Sequence, residues 1–135
     1  MIFGVGIDSV EIKRFSHWRQ FSKKTLQRIF SSEEIDYCFI TPTKSAERFA
    51  VRFAIREAFF KAYSSAFPGK IAPFLTICNQ LVLKKTKYGI PYLLINWEQL
   101  IKNNNQITSN MRANVSCSHT KNIATAVVIL QANLH

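Results

Sequence analysis

Arg52-Phe53-Ala54-Ile55-Arg56-Glu57-Ala58-Phe59-Phe60-Lys61-Ala62 reads as the middle of a long helix. It is rich in Ala and straight-chain residues, and no Gly or Pro falls between Thr43 and Phe67. Phe49, Phe53, Glu57 and Lys61 follow at four-residue steps and so lie nearly in line on one face. A carboxylate in register with two phenylalanines carries a desolvation cost that something must offset. A Glu57-to-Lys61 pair at i, i+4 offsets roughly a few tenths of a kcal/mol; a divalent cation offsets more. Taken alone, such a pair is most often a solvated helix edge. Arg48, Arg52 and Arg56 form a second row, turned away from the phenylalanines, ordinary on a surface helix and suited to phosphates.

Outward from the helix, 135 residues allow one domain with a real core, and eleven Phe supply large surfaces for it. The net charge of +10 implies an acidic partner without choosing among nucleic acid, anionic membrane, phosphorylated small molecule and acidic protein. Cys38, Cys78 and Cys117 are odd in number and widely spaced, which disfavours a disulfide scaffold or structural zinc and fits a reducing cytoplasm. Met1 to Gly6 is short, uncharged and runs straight into Asp8, so no secretory leader is expected; no apolar run reaches membrane-spanning length.

Ile2 to Ile7 reads as a buried strand whose Gly4 and Gly6 allow close backbone approach, ended by Asp8-Ser9. Glu11 to Phe21 is expected to be a basic helix carrying Lys13, Arg14, His17 and Arg19, and Lys23 to Phe30 a shorter helical piece. Ser31 to Glu34 is a capping box opening a helix to about Ile40, and Thr41-Pro42 caps the long helix. After the Phe67-Pro68-Gly69 break, strands are expected at Phe74–Cys78, Leu81–Lys85, Ile90–Ile95, Met111–Ser116 and Ile123–Leu130. Lys87-Tyr88-Gly89 turns the hairpin, Trp97–Lys102 is a short helix, and a polar loop runs from Asn103 to Asn110. The fold class is α+β, a long helix and shorter helices packed on an antiparallel sheet that the first strand joins.

Three local features carry chemistry in combination. Asp8 stands at a strand end, Glu57 and Lys61 on the helix, and Ser118-His119-Thr120 in a polar turn after a strand. Each has an ordinary explanation alone: a helix cap, a solvated edge, a loop histidine bonded to backbone. Together, Asp8 and Glu57 supply two hard oxygen ligands for magnesium, with water and substrate phosphate filling its octahedron. Lys61, Arg52 and the Ser118-His119-Thr120 turn then gather phosphate oxygens, equipment for transfer at a phosphoryl centre. No Walker or kinase-type Gly-rich loop is present.

The chain resembles the bacterial holo-acyl-carrier-protein synthases, the short type of 4'-phosphopantetheinyl transferase. The resemblance rests on Gly4-Val5-Gly6-Ile7-Asp8-Ser9-Val10-Glu11-Ile12-Lys13-Arg14-Phe15, on Arg28-Ile29-Phe30-Ser31-Ser32-Glu33-Glu34, on Arg48 through Ala62, and on Val115-Ser116-Cys117-Ser118-His119-Thr120. It implies a single domain over 1–135 that passes the 4'-phosphopantetheine arm of coenzyme A to a serine of apo-acyl carrier protein. Adenosine 3',5'-bisphosphate is released, in support of fatty acid biosynthesis. By the resemblance, Asp8 and Glu57 match the magnesium ligands, and Glu57 also helps deprotonate the serine. Lys61 neutralises the diphosphate, and Arg52, Ser118, His119 and Thr120 hold the adenosine-phosphate end. Arg14 matches the surface that receives the acidic carrier protein, which gives the net charge a use. Members of this type are homotrimers with active sites between subunits. No nucleic acid or membrane partner is implied.

Three departures stand out. Arg56 replaces the family's usual Lys before the helix glutamate, a fork in place of a point charge at a spot expected to meet phosphate. Tyr63-Ser64 stands where a Gly is common, so a side chain there is expected to crowd a ligand near the helix end, and Ile90 replaces a hairpin Lys. The competing readings are a nucleic-acid module using Lys84, Lys85, Lys87 and Tyr88, and a non-catalytic carrier-protein binder.

Overall fold

Alternation along the first strand sets the architecture. The computed structural model describes residues 1–69, 72–103 and 110–132, the side chains of 101–103 excepted. In β1 (Ile2–Glu11), Gly4, Gly6 and Val10 are buried while Phe3, Val5, Ile7, Ser9 and Glu11 face outward. β1 pairs antiparallel with β5 (Ile123–Ala132), which pairs antiparallel with β4 (Met111–His119), giving the order β1-β5-β4. The inner face of β5 is Ala124, Ala126, Val128 and Leu130, all buried. Helix α3 (Ser45–Ala66) packs on that face.

Contact between β1 and α3 is backbone on backbone. A Cβ on Gly6 would meet the Ala58 carbonyl oxygen at 1.9 Å, and one on Gly4 would meet that of Ala62 at 2.1 Å. The two glycines therefore serve close approach. β1 does not end at Asp8: pairing continues to Glu11 opposite Ile123, with Ser9 and Thr125 hydroxyls 2.9 Å apart. Asp8 sits inside the strand, opposite Ala126.

The expected helix over Glu11–Phe21 is replaced by two 3-10 turns, Ile12–Phe15 and Trp18–Gln20. Ile12 still bonds Asn122 carbonyl as if extending the ladder, at 2.8 Å. Phe15, ending the first turn, and Trp18, opening the second, meet with tilted rings 4.6 Å apart, and both reach Phe53 of α3. The next expected helix is reduced to α1 (Lys23–Leu26), capped by Ser22. α2 (Ser32–Ile40) begins where expected, the Ser31 hydroxyl accepting from the Glu34 N–H at 3.2 Å. Thr41-Pro42 opens a 3-10 turn, Pro42–Lys44, before α3, and the Thr41 side chain makes no cap bond.

Phe74–Cys78 is a helix, α4, and not a strand. Its short apolar run turns to bury Ile77 and Cys78 while Phe74 packs edge-on against Phe53 and Phe60. The hairpin forms as β2 (Leu81–Lys85) and β3 (Pro91–Ile95), with Gly89 at φ +80 in its turn. It makes a second, two-stranded sheet and does not extend the first. α5 (Trp97–Asn103) follows; the interior of the expected Asn103–Asn110 loop lies outside the described residues. Among the described residues no helix is long and apolar enough to cross a membrane.

Arg56 does not project toward phosphate, as its place in the arginine row suggested. It is fully buried and forks onto Glu34, Nη1 to Oε2 at 2.8 Å and Nη2 to Oε1 at 2.7 Å. Nη2 also donates to the Leu81 carbonyl at 2.9 Å, so one guanidinium ties α3 to both α2 and β2. Burial pushes the Glu34 carboxyl up, but the Arg56 charge and hydrogen bonds, with Ser31 and Arg52, hold it below the ordinary carboxylate value. Breaking such a pair by removing one partner costs about 3–5 kcal/mol.

Gly6→Ala is expected to cost about 3 kcal/mol or more of unfolding free energy, because the added methyl meets backbone and not a yielding side chain. Urea denaturation checks it; a loss below about 0.5 kcal/mol would contradict the close approach of β1 to α3.

Candidate functional site

The β1–α3 contact brings Asp8 beside Lys61. Lys61 Nζ lies 3.1 Å from Asp8 Oδ1 and donates to the Ile7 carbonyl at 3.0 Å. The ion pair of Lys61 is thus with Asp8, not the helical one with Glu57 that the four-residue spacing offered. Asp8 Oδ2 is buried and has no hydrogen-bond partner. Glu57 is half-buried, and its carboxyl is pushed up by burial and then by the Asp8 charge, with partial relief from Lys61 and Arg14. Two carboxylates that repel each other, one with an orphaned oxygen, form a set that a hard divalent cation fits. No larger group of His, Cys, Asp or Glu suited to a metal occurs among the described residues.

Arg14 stands at the rim. It is exposed, with its guanidinium 5.7 Å from the Phe15 ring centroid and 6.0 Å from that of Phe53. Its charge is felt at Glu57.

The other predicted residues gather elsewhere. Arg52, Ser118 and His119 line an open cleft of about 380 Å³, together with Lys44, Arg48 and Lys85. Ser118 and His119 belong to the end of β4 and not to a turn. His119 Nε2 lies 2.5 Å from Glu47 Oε1. Thr120 is not in this cleft; its hydroxyl accepts from the N–H groups of Asn122 and Ile123 and closes the β4–β5 turn. Arg52 is nearly fully buried, its Nε unpartnered and 3.8 Å from Glu34. The carboxylate pair is thus beside strand β1 and the basic cleft beside strand β4, with β5 between the two strands. Sequence reasoning missed Tyr37 and Glu47 in the cleft. Neither belongs to a motif that carries chemistry, and only the folding of α2 and α3 onto the hairpin brings them there.

The profile of the 4'-phosphopantetheinyl transferase superfamily matches residues 4–87. The chain belongs to this superfamily. Within it, the relatives are holo-[acyl-carrier-protein] synthases. That of Treponema denticola is 34% identical over 133 residues, covering 97% of this chain and 99% of the relative. That of Bacillus subtilis is 30% identical over 131 residues, covering 97% of each. The solved Chronobacterium ammoniagenes ACPS–CoA complex superposes with a TM-score of 0.78 at 28% identity, covering 97% of this chain and 98% of that one. The transferase match spans most of β1, all of α3 and the first hairpin strand β2, the elements that hold Asp8, Glu57, Lys61, Arg52 and Lys85.

The family's frequent Gly near the end of the long helix corresponds here to Tyr63-Ser64. Tyr63 turns inward, almost fully buried and stacked on Phe59 at 6.3 Å, while Ser64 is exposed. Only the small hydroxyl therefore projects from that stretch.

The raised Glu57 carboxyl binds its proton more tightly folded than unfolded. Its ionisation therefore subtracts from stability as pH rises above the ordinary value of 4.5. Glu57→Gln is expected to raise the melting temperature at pH 7 by a few degrees, with the gain disappearing below pH 4.5. Thermal melts at the two pH values check this; an equal gain at both would remove charge repulsion as the cause.

Proposed function

We propose that this chain transfers the 4'-phosphopantetheine arm of coenzyme A to a serine of apo-acyl carrier protein, with magnesium at Asp8 and Glu57. The observation that carries the reading is the Asp8–Glu57–Lys61 cluster, with its buried unpartnered oxygen and raised carboxyl. Its relatives' name supports carrier protein as the acceptor, and the solved ACPS–CoA complex supports coenzyme A as the donor.

Bound magnesium would neutralise the coenzyme A diphosphate and make its phosphorus more electrophilic. The rest falls to side chains. Glu57, poised upward in basicity, accepts the serine proton directly or through water as the serine oxygen bonds to the phosphorus bearing pantetheine. The bond from that phosphorus to the bridging oxygen breaks, and adenosine 3',5'-bisphosphate leaves with the electron pair. Lys61 exchanges part of its pairing with Asp8 for the charge that develops on the diphosphate. The basic cleft, with Arg52, Ser118 and His119, takes the adenosine-phosphate end. Arg14, exposed beside Glu57, receives the acidic carrier protein and speeds encounter.

One chain holds the two halves at opposite edge strands of one sheet, and neighbouring copies would complete the site. The outer face of β1 offers Phe3, Val5 and Ile7, which are 41%, 51% and 60% exposed. It grades through Val127 and Ile129 to the polar Asn114 and Ser116 of β4. A face that is apolar at one edge and polar at the other suits head-to-tail closure, and we assign it to a homotrimer. Holo-carrier protein made this way serves fatty acid biosynthesis in the cytoplasm, where the three unpaired cysteines remain reduced. The nucleic-acid reading has less support: Lys84 is paired with Glu33, and Lys85 lies over Tyr37.

Asp8→Ala and Glu57→Ala are each expected to lower transfer at least about 100-fold while the protein stays folded. In the same assay Arg14→Glu is expected to raise KM for carrier protein and leave KM for coenzyme A unchanged. Full activity in either carboxylate variant would sink the metal assignment, and an unchanged carrier-protein KM would remove Arg14 from the docking surface. Light scattering is expected to give the mass of three chains, and Ile7→Lys that of one. A monomeric wild-type protein with full activity would contradict a site shared between copies.

A further inference from the structure

Three cations in the basic cleft converge on a single aromatic ring. Tyr37, half-buried on α2 one turn after Glu34, has the Arg48 guanidinium 4.0 Å from its ring centroid and that of Arg52 at 4.7 Å. The Lys85 ammonium, from β2, lies at 5.6 Å. Arg48 Nη1 also donates to the Tyr37 carbonyl at 2.9 Å. All four side chains line the cleft that holds Ser118 and His119.

Cations this close repel one another, and something must hold them. Carboxylates are the usual means, but those nearby are engaged. Glu34 forks onto Arg56 and reaches Arg52 Nε only at 3.8 Å, as a long ion pair without a hydrogen bond, and Glu47 is with His119. Among the described residues the Tyr37 ring is the one group that meets all three cations, and its negative face supplies attraction beyond what Glu34 gives Arg52. The difference matters for a ligand. A carboxylate must be displaced before an anion binds, whereas a neutral ring keeps cations in place without competing for them. Arg52 fits this picture, being almost fully buried, with Nη1 donating to the Arg48 carbonyl at 3.3 Å and Nε free of any hydrogen bond. Its position is fixed before any anion arrives.

We propose that Tyr37 is a positioning residue for the nucleotide end of coenzyme A: its ring preassembles Arg48, Arg52 and Lys85, from two separate elements, as one receptor for phosphate. This rests on the proposed function of the cleft. Tyr37 acts through the cations, so its removal weakens nucleotide binding and leaves the transfer step alone.

Calorimetric titration of coenzyme A and of adenosine 3',5'-bisphosphate into wild type, Tyr37→Leu and Tyr37→Phe tests it, alongside steady-state kinetics. Tyr37→Leu is expected to weaken both ligands about tenfold and to raise KM for coenzyme A about as much, with kcat and the carrier-protein KM unchanged. Tyr37→Phe, which keeps the ring, restores binding to within about twofold. Tyr37→Met serves in the same comparison if the leucine variant does not fold. Wild-type binding retained in Tyr37→Leu, or a loss confined to kcat, would overturn the inference alone. A wild-type protein that binds neither nucleotide would overturn the reading of the cleft, and the inference with it. Equal loss in Tyr37→Phe and Tyr37→Leu would also overturn it, because the ring face would then not be what holds the cations.

Discussion

The site depends on a strand lying directly on a helix with no side chain between them. Gly4 and Gly6 let β1 settle against the carbonyls of Ala62 and Ala58, closer than any residue with a Cβ allows. That approach lets Lys61 reach across to the Ile7 carbonyl and Asp8 carboxylate. It also brings the Asp8 charge near enough to raise the Glu57 carboxyl. Without it the two carboxylates would be unrelated groups on two elements. The repulsion between them is a cost to the fold, one that the proposed magnesium would relieve.

A second constraint governs the other half of the site. Arg56 reaches Glu34 on α2 and Leu81 on β2 at once. α2 carries Tyr37 and β2 carries Lys85, so one buried guanidinium sets both walls of the basic cleft. A lysine there has a single point charge and cannot span the three acceptors in the same way. The arginine that departs from the family pattern is therefore a structural element of this protein. Much of the arginine row likewise serves the cleft's architecture, with Arg48 alone of the three left half-exposed.

What was legible in the sequence was local and periodic. The long helix, the hairpin, the Ser31 cap and the strands around Gly4–Gly6 and Ile123–Leu130 follow from spacing and turn chemistry over a few residues. Asp8, Glu57 and Lys61 were legible as a set because four motifs in order resembled one family. What was not legible depended on partners distant in the chain. Arg56 looked solvent-facing because Glu34 lies 22 residues away and the pair is closed only by folding. Phe74–Cys78 looked like a strand because a five-residue apolar run carries no usable period; packing against Phe53 and Phe60 decided it. Glu11–Phe21 has helical composition, yet β1 pairing persists to Glu11 and two aromatic anchors draw the rest into 3-10 turns. The separation of Asp8 and Glu57 from the basic cleft was invisible for the same reason: it is set by strand order.

Intact-mass analysis of apo-acyl carrier protein incubated with this protein, coenzyme A and magnesium tests the central assignment most directly. The predicted result is a gain of one phosphopantetheine group that is abolished by chelator and restored by added magnesium. Carrier protein left unmodified by a folded sample, or modified equally well in the presence of chelator, would contradict it.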